Sequence, residues 1–256
     1  MFSLREKIVF ITGASSGIGK SCARAFAGEG AKILMAARRK DRLNALAAEL
    51  KTDLGASSYC LQLDVRDKAA VAKAVADLPA AWAAIDILVN NAGLSRGLDK
   101  LHEGKLDDWE EMIDTNVKGL LYVSRAVIPE MVKRAAGHII NIGSIAGHEI
   151  YPGGNVYCAT KFAVNAISRG LRMDLSGTPL RVSTVDPGMV ETEFSLVRFR
   201  GDGEKAKKVY HGLTPLSPDD IAVAVVFCAT RPPHVNISEM IVMPQAQASP
   251  MVVHRT

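Results

Sequence analysis

Tyr157 is followed one helical turn later by Lys161, preceded thirteen residues earlier by Ser144, and Asn116 lies twenty-eight residues before that serine. A phenol ordinarily titrates at about pH 10, so it exchanges protons poorly near neutrality unless a cation lowers that value. Residues at i and i+4 of a helix share a face, which puts an ammonium in reach of the phenol. The chemistry this set can do is acid–base catalysis at a substrate oxygen. Tyr157 would carry the proton and Lys161 would lower its pKa. Each signal is weak alone. Tyr157 is the only one of five tyrosines with a lysine four residues on, but Ser144 also reads as a strand-end serine satisfying backbone, and Asn116 as an ordinary buried polar group.

A second motif precedes them. Thr12-Gly13-Ala14-Ser15-Ser16-Gly17-Ile18-Gly19 follows the short apolar run Ile8 to Ile11 and opens a helical pattern. Bare backbone amides at a helix start suit a diphosphate. Gly13 permits the tight turn, Gly17 admits the phosphates close to the backbone, and Gly19 allows close helix packing. In a dinucleotide fold, an acid about 20 residues further on would hold an adenosine ribose hydroxyl. Here that position is Ala37, and Arg38-Arg39 follow. Planar guanidiniums suit a 2′-phosphate, so the sequence predicts NADP rather than NAD. A charged first turn of the next helix, with Asp41 and Arg42, would produce the same residues.

These groups meet only if a sheet presents them at the ends of neighbouring strands. Short β-branched runs at 7–12, 32–37, 57–63, 86–90, 138–143, 180–186 and 239–243 alternate with helical patterns at 17–29, 41–50, 68–81, 107–134, 154–175 and 219–229. The lengths suit right-handed crossovers. The pattern predicts an α/β chain: one Rossmann-type domain over 1–256, a doubly wound seven-stranded parallel sheet, helices on both faces. Hydrophobic residues at 48% and charged residues at 23% fit a globular domain with a sizeable core.

Composition also excludes several classes. A net charge of +4 is small and scattered, which argues against nucleic acid, and Lys205-Ala206-Lys207-Lys208 reads as a solvated helix end. Cys22, Cys60, Cys158 and Cys228 show no pairing or zinc-type spacing, and six dispersed histidines suggest no metal site. No run approaches the ~18 apolar residues of a membrane span. A soluble, reduced, cytoplasmic protein is expected. In 154–175 and 109–132 the apolar residues wrap past one face, more than contact with a sheet needs. A second copy of the chain covering the surplus would explain this.

With these motifs in order, together with Asn90-Asn91-Ala92-Gly93 and Pro187-Gly188, the chain resembles the short-chain dehydrogenase/reductase family over essentially its whole length. The resemblance implies an enzyme transferring hydride between NADP(H) and a CH–OH carbon, with Asn116, Ser144, Tyr157 and Lys161 as catalytic residues. It implies that Lys161 also holds the nicotinamide ribose and that Asn116 keeps open a helix kink and a water path. Gly13, Ser15, Ser16, Gly17, Ile18, Gly19, Arg38 and Arg39 would bind the phosphates. Asp64 and Val65 would meet the adenine, Asn91, Ala92 and Gly93 would line the adenosine side, and Pro187, Gly188, Val190 and Thr192 would meet the nicotinamide amide. A tetramer is the assembly the family suggests.

The segment 190–213 mixes aromatic, aliphatic and charged residues with glycines after the Pro187-Gly188 turn, and reads as a mobile lid. Thr192-Glu193-Phe194-Ser195-Leu196-Val197-Arg198-Phe199, Gly153-Gly154-Asn155-Val156-Tyr157 and Met243-Pro244 resemble the 3-hydroxy acid (serine 3-) dehydrogenase branch of the family. Substrates would then be serine, L-allo-threonine or 3-hydroxyisobutyrate, or malonic semialdehyde in reduction. A buried substrate carboxylate needs a cation; Arg198 is the first candidate and Arg200 the second. The alternatives are a reductase of other carbonyls, such as a 3-ketoacyl thioester or a diketone, and a non-catalytic NADP(H) sensor.

Overall fold

Alternate residues of the first strand serve two different cores. In the computed structural model, which describes residues 2–256, β1 (Ile8–Thr12) sends Val9 and Ile11 into one cluster and Ile8 and Phe10 into another. Successive apolar residues are what a strand covered on both faces requires. β2 (Lys32–Ala37), β3 (Ser58–Gln62), β4 (Ile87–Asn90), β5 (His138–Ile142), β6 (Arg181–Pro187) and β7 (Glu239–Val242) complete a seven-stranded sheet. Every pairing is parallel, in the order β3-β2-β1-β4-β5-β6-β7. The expected doubly wound Rossmann sheet is the one observed. Its order reverses between β1 and β4, and the crevice at their carboxyl ends is where such sheets take ligands.

The helices are α1 (Gly17–Gly28), α2 (Lys40–Leu54), α3 (Lys68–Ala76), α4 (Ala80–Ala83), α5 (Leu106–Ile113), α6 (Leu120–Lys133), α7 (Asn155–Asp174), α8 (Glu193–Arg198), α9 (Gly203–Lys208) and α10 (Pro218–Ala229). α1, α2 and α10 bury Phe26, Leu46 and Val225 on one face of the sheet. α3 and α6 bury Val71, Val127 and Met131 on the other.

Three segments differ from the periodic pattern. The helix expected over 68–81 divides into α3 and α4, because Pro79 disfavours helical backbone at the residue before it. The one expected over 107–134 is interrupted by a π-helical turn, Asp114–Gly119, between α5 and α6. The segment 190–213 is not a bare loop: Thr192 caps α8 by accepting from the Phe194 N–H, and Asp202 caps α9 by accepting from the Lys205 N–H.

A buried polar row ties the central strands to α7. Asn90 donates to Ser124 of α6 (3.0 Å) and to Asn141 of β5 (2.9 Å); Asn141 donates to Ser168 of α7 (2.8 Å), whose hydroxyl donates to the Val164 carbonyl (2.7 Å). Among the described residues all four cysteines are free, and no helix is long and apolar enough to cross a membrane.

Candidate active site

A cavity of about 600 Å³ opens at the carboxyl ends of β1, β4, β5 and β6. The glycine loop forms its floor, with Gly13, Ser15, Ser16, Gly17 and Ile18 on the lining. Gly13 has φ +67°, and a Cβ there would lie 2.9 Å from the Cα of Ala92, so both conformation and space demand glycine. Gly19 does not reach the cavity. A Cβ on it would sit 2.5 Å from the Gly13 carbonyl oxygen, so its part is to let α1 close on the loop.

Asn91, Ala92 and Gly93 line the cavity after β4. Thr12 fixes them: its Oγ1 accepts from the N–H of Asn91 (3.1 Å) and of Ala92 (3.0 Å), and the Asn91 amide donates back to the Thr12 carbonyl (2.9 Å). The Asn91 side chain is therefore a brace between β1 and β4. Arg38, Asp64 and Val65 line the cavity beyond the ends of β2 and β3. Asp64 is engaged by Arg66 at 2.6 Å, which holds its carboxyl below the usual range. Arg39 donates to the hydroxyls of Ser15 (3.1 Å) and Ser16 (2.8 Å) and to Glu193 Oε2 (2.9 Å), and Arg42 donates to Glu193 Oε1 (2.6 Å).

Ser144, Tyr157 and Lys161 converge at the other end, all under 9% exposed. β5 delivers Ser144, whose N–H donates to the wholly buried Asp186 (3.1 Å). α7 delivers Tyr157 and Lys161 on its inward face. Burial pushes the Tyr157 phenol well above its ordinary value, while the Arg198 guanidinium and the Ser144 hydroxyl pull the other way. Lys161 donates to the Ile142 carbonyl (2.9 Å), and burial lowers its pKa to about 8 against the opposing charge of Asp186. Its Nζ lies 6.0 Å from the Tyr157 ring centre; the Arg198 guanidinium, at 5.4 Å, is nearer.

Asn116 does not line the cavity. Buried in the π turn, it accepts from the Leu94 N–H and donates to the Leu94 carbonyl, both at 2.8 Å, and it also donates to Thr160 of α7 at 3.0 Å. The extra residue in that turn lets one side chain bind the strand-end loop and α7 together.

Pro187, Gly188, Val190 and Thr192 line the roof with α8 above them. Arg198 reaches in, donating to the Tyr151 hydroxyl (3.0 Å) and lying 5.1 Å from the Phe194 ring centre; its buried Nε–H has no partner. Arg200 points elsewhere, paired with Asp108 outside the cavity, because its φ of +52° turns the chain away after α8.

Sequence reasoning missed several groups. Gln247 accepts from the Met189 N–H (2.8 Å) and the Tyr210 hydroxyl donates to the Val190 carbonyl (2.9 Å), together steadying the segment after β6. No motif marks either. His148 Nε2 lies 3.4 Å from Asp186 and 3.2 Å from Glu239, gathering three dispersed titratable residues behind Ser144. Glu193 lies inside the 192–199 run already singled out, where its charge was the available signal, while Tyr151 stands two residues before the 153–157 run and no motif marks it.

Fold and cavity together define a dinucleotide-binding domain with an acid–base centre at its switch point. The chain belongs to the short-chain dehydrogenase family, whose model matches residues 7–201. It is 52% identical over 251 residues to the NADP-dependent 3-hydroxy acid dehydrogenase YdfG of Salmonella typhi, covering 97% of this chain and 100% of that protein. It is 44% identical over 256 residues to an NADP-dependent 3-hydroxy acid dehydrogenase of Schizosaccharomyces pombe, covering 100% and 99%. Among solved structures, a serine dehydrogenase in its closed form complexed with NADP+ superposes with a TM-score of 0.90 at 50% identity, covering 97% of this chain and 100% of that one.

Proposed function

We propose that this chain is an NADP-dependent dehydrogenase that interconverts a small 3-hydroxy acid and its 3-oxo form. NADP supplies the hydride acceptor in one direction and, reduced, the donor in the other. The cavity fits it: glycine backbone on the floor for a diphosphate, Arg38 and Arg39 at one end for a 2′-phosphate, and Tyr157 with Ser144 at the other. Tyr157 takes the hydroxyl proton in oxidation and returns it in reduction, and Ser144 holds the same oxygen. Lys161, wholly inside the protein and titrating at about 8, supplies positive charge beside the phenol and a donor for the nicotinamide ribose. Asn116 keeps the loop after β4 and α7 in register around it.

The observation that carries the substrate class is Arg198. It is a guanidinium on the cavity wall against Tyr157, hydrogen-bonded to the Tyr151 hydroxyl and without a carboxylate partner among the described residues. Such a donor asks for an anion, and a carboxylate two carbons from the reacting hydroxyl answers it. The names of the relatives agree. A turnover panel of serine, L-allo-threonine, 3-hydroxyisobutyrate and a 3-ketoacyl thioester, each with NADP and NAD, tests the reading: the acids with NADP should lead. A lead for the thioester, or equal use of NAD, overturns it.

The segment 190–213 acts as the lid, and the assembly is a homo-oligomer, with a tetramer favoured by the family. Phe162 and Met173 on α7 and Leu121 on α6 stand 43%, 75% and 42% exposed in the single chain, the surplus apolar face read from the sequence. A cytoplasmic location accords with the free cysteines.

A further inference from the structure

α8 touches both ends of the cavity. At its first residue, Glu193 bridges Arg39 and Arg42, the cations beside the expected 2′-phosphate site. Thr192, one residue earlier, packs on the phosphate loop so closely that a Cβ on Gly17 would lie 3.3 Å from its Cγ2. At its last residue, Arg198 faces Tyr157 and Tyr151. Six residues of helix span only about 9 Å, so what happens at one end is felt at the other. The far end rests on the loop after β4, through the Gly97 N–H to the Arg198 carbonyl (3.1 Å) and Arg96 to the Val197 carbonyl. The place of Arg198 therefore depends on α8 being held at both ends.

The charges explain why a phosphate matters to this hold. Arg39 and Arg42 carry two positive charges against the single carboxylate of Glu193, and Arg38, whose charge also acts on Asp64, adds a third. A 2′-phosphate, with close to two negative charges, completes an alternating row: Arg42, Glu193, Arg39, phosphate, Arg38. Arg39 would then be held on three sides, by the loop hydroxyls, by Glu193 and by the phosphate. With no phosphate beside them Glu193 already meets Arg39 at 2.9 Å and Arg42 at 2.6 Å, but all three side chains are about 40% exposed, so water competes for these pairs and a phosphate would give Arg39 one more fixed partner.

We propose that Glu193 couples recognition of the 2′-phosphate to the grip of Arg198 on the substrate carboxylate, so that affinity for a small hydroxy acid depends on which dinucleotide is bound. This rests on the NADP and Arg198 readings above. Glu193 is a positioning residue: it touches the two arginines and acts on substrate through α8.

The test uses malonate, which carries the carboxylate and has no hydroxyl to oxidise, titrated calorimetrically into enzyme saturated with NADP+ or with NAD+. Malonate should bind about fivefold more tightly to the NADP+ complex, a value at the low end of coupling because the ion pairs are exposed. In Glu193→Gln the ratio should fall to about one, and Glu193→Asp should restore part of it. Raising salt to about 0.5 M should shrink the wild-type ratio and leave that of Glu193→Gln unchanged, which a merely structural role would not do. A wild-type ratio of one, or an undiminished ratio in Glu193→Gln, overturns the coupling. Two other results overturn it through its foundations and are separately visible: equal wild-type affinity for NADP+ and NAD+, or malonate binding indifferent to Arg198→Ala.

Discussion

The two ends of the cavity hold charge in opposite ways. Around Ser144, Tyr157 and Lys161 the groups are out of water, and the side chains of Ser144 and Lys161 meet fixed backbone atoms at Ala146, Pro187 and Ile142. Around Arg39, Arg42 and Glu193 the side chains are about 40% exposed and their partners are one another. Inside, low dielectric makes each interaction large and indifferent to salt; outside, water and ions reduce each one, and selectivity is assembled from several small contributions. On the function proposed, chemistry falls to the first end and choice of cofactor to the second.

The largest expected effect is at the buried end. Tyr157→Phe should lower turnover by about 10³-fold or more, equally at low and high salt, while NADP affinity changes only a few-fold; this is read from kcat and a direct binding titration. A variant that keeps turnover in a folded sample would end the acid–base assignment.

Lys161→Met should also abolish useful turnover, yet make the protein harder to unfold. The folded state depresses the lysine from 10.5 to about 8, so burying the ammonium costs stability in full below pH 8, and the cost fades as pH rises towards 10.5. The gain from methionine should be roughly 1–3 kcal/mol at pH 7, since the freed Ile142 carbonyl offsets part of it, and smaller at pH 9.5. Urea unfolding at both values measures it, and a gain independent of pH contradicts the buried-charge account.

At the exposed end the numbers should be smaller and salt-sensitive. Arg39→Leu should cut the ratio of kcat/KM for NADP over NAD by about 30-fold at low ionic strength, with a visibly weaker effect in about 0.5 M salt. A salt-independent loss would mean that Arg39 is as sheltered as the catalytic groups. Arg198→Ala lies between the two ends and should raise KM for 3-hydroxy acids about tenfold while leaving neutral alcohols alone. Equal effects on both substrate classes would remove the carboxylate from Arg198.

The same division governs what the sequence reveals. The strands, the glycine loop and the set Ser144, Tyr157 and Lys161 are legible because periodicity and spacing along one chain decide them. Glu193 and Arg42 are 151 residues apart and meet only through the return of the 190–213 segment over the glycine loop. Local pattern offers nothing to join them, and Arg42 read as the first turn of a helix. Gln247 and the group His148, Asp186 and Glu239 are hidden for the same reason. Gly19 and Asn116 carry motif positions, but the motif does not say that they act on backbone neighbours, Gly13 and Leu94, away from the cavity. Periodicity averaged over 107–134 absorbs the one extra residue of the π turn, so only the family resemblance pointed to a kink at Asn116.

The polar row through Asn90, Asn141 and Ser168 has an effect far from its own atoms. Ser168 lies about three turns beyond Tyr157, on the same inward side of α7. Sliding or rotating that helix by one residue would strand several amide and hydroxyl groups in a dry interior, so the row works as a detent that fixes the helix's phase. The bearing of the phenol is thus set some 16 Å away, by side chains that never meet a substrate, and a substitution at Ser168 would register first as a misaimed proton.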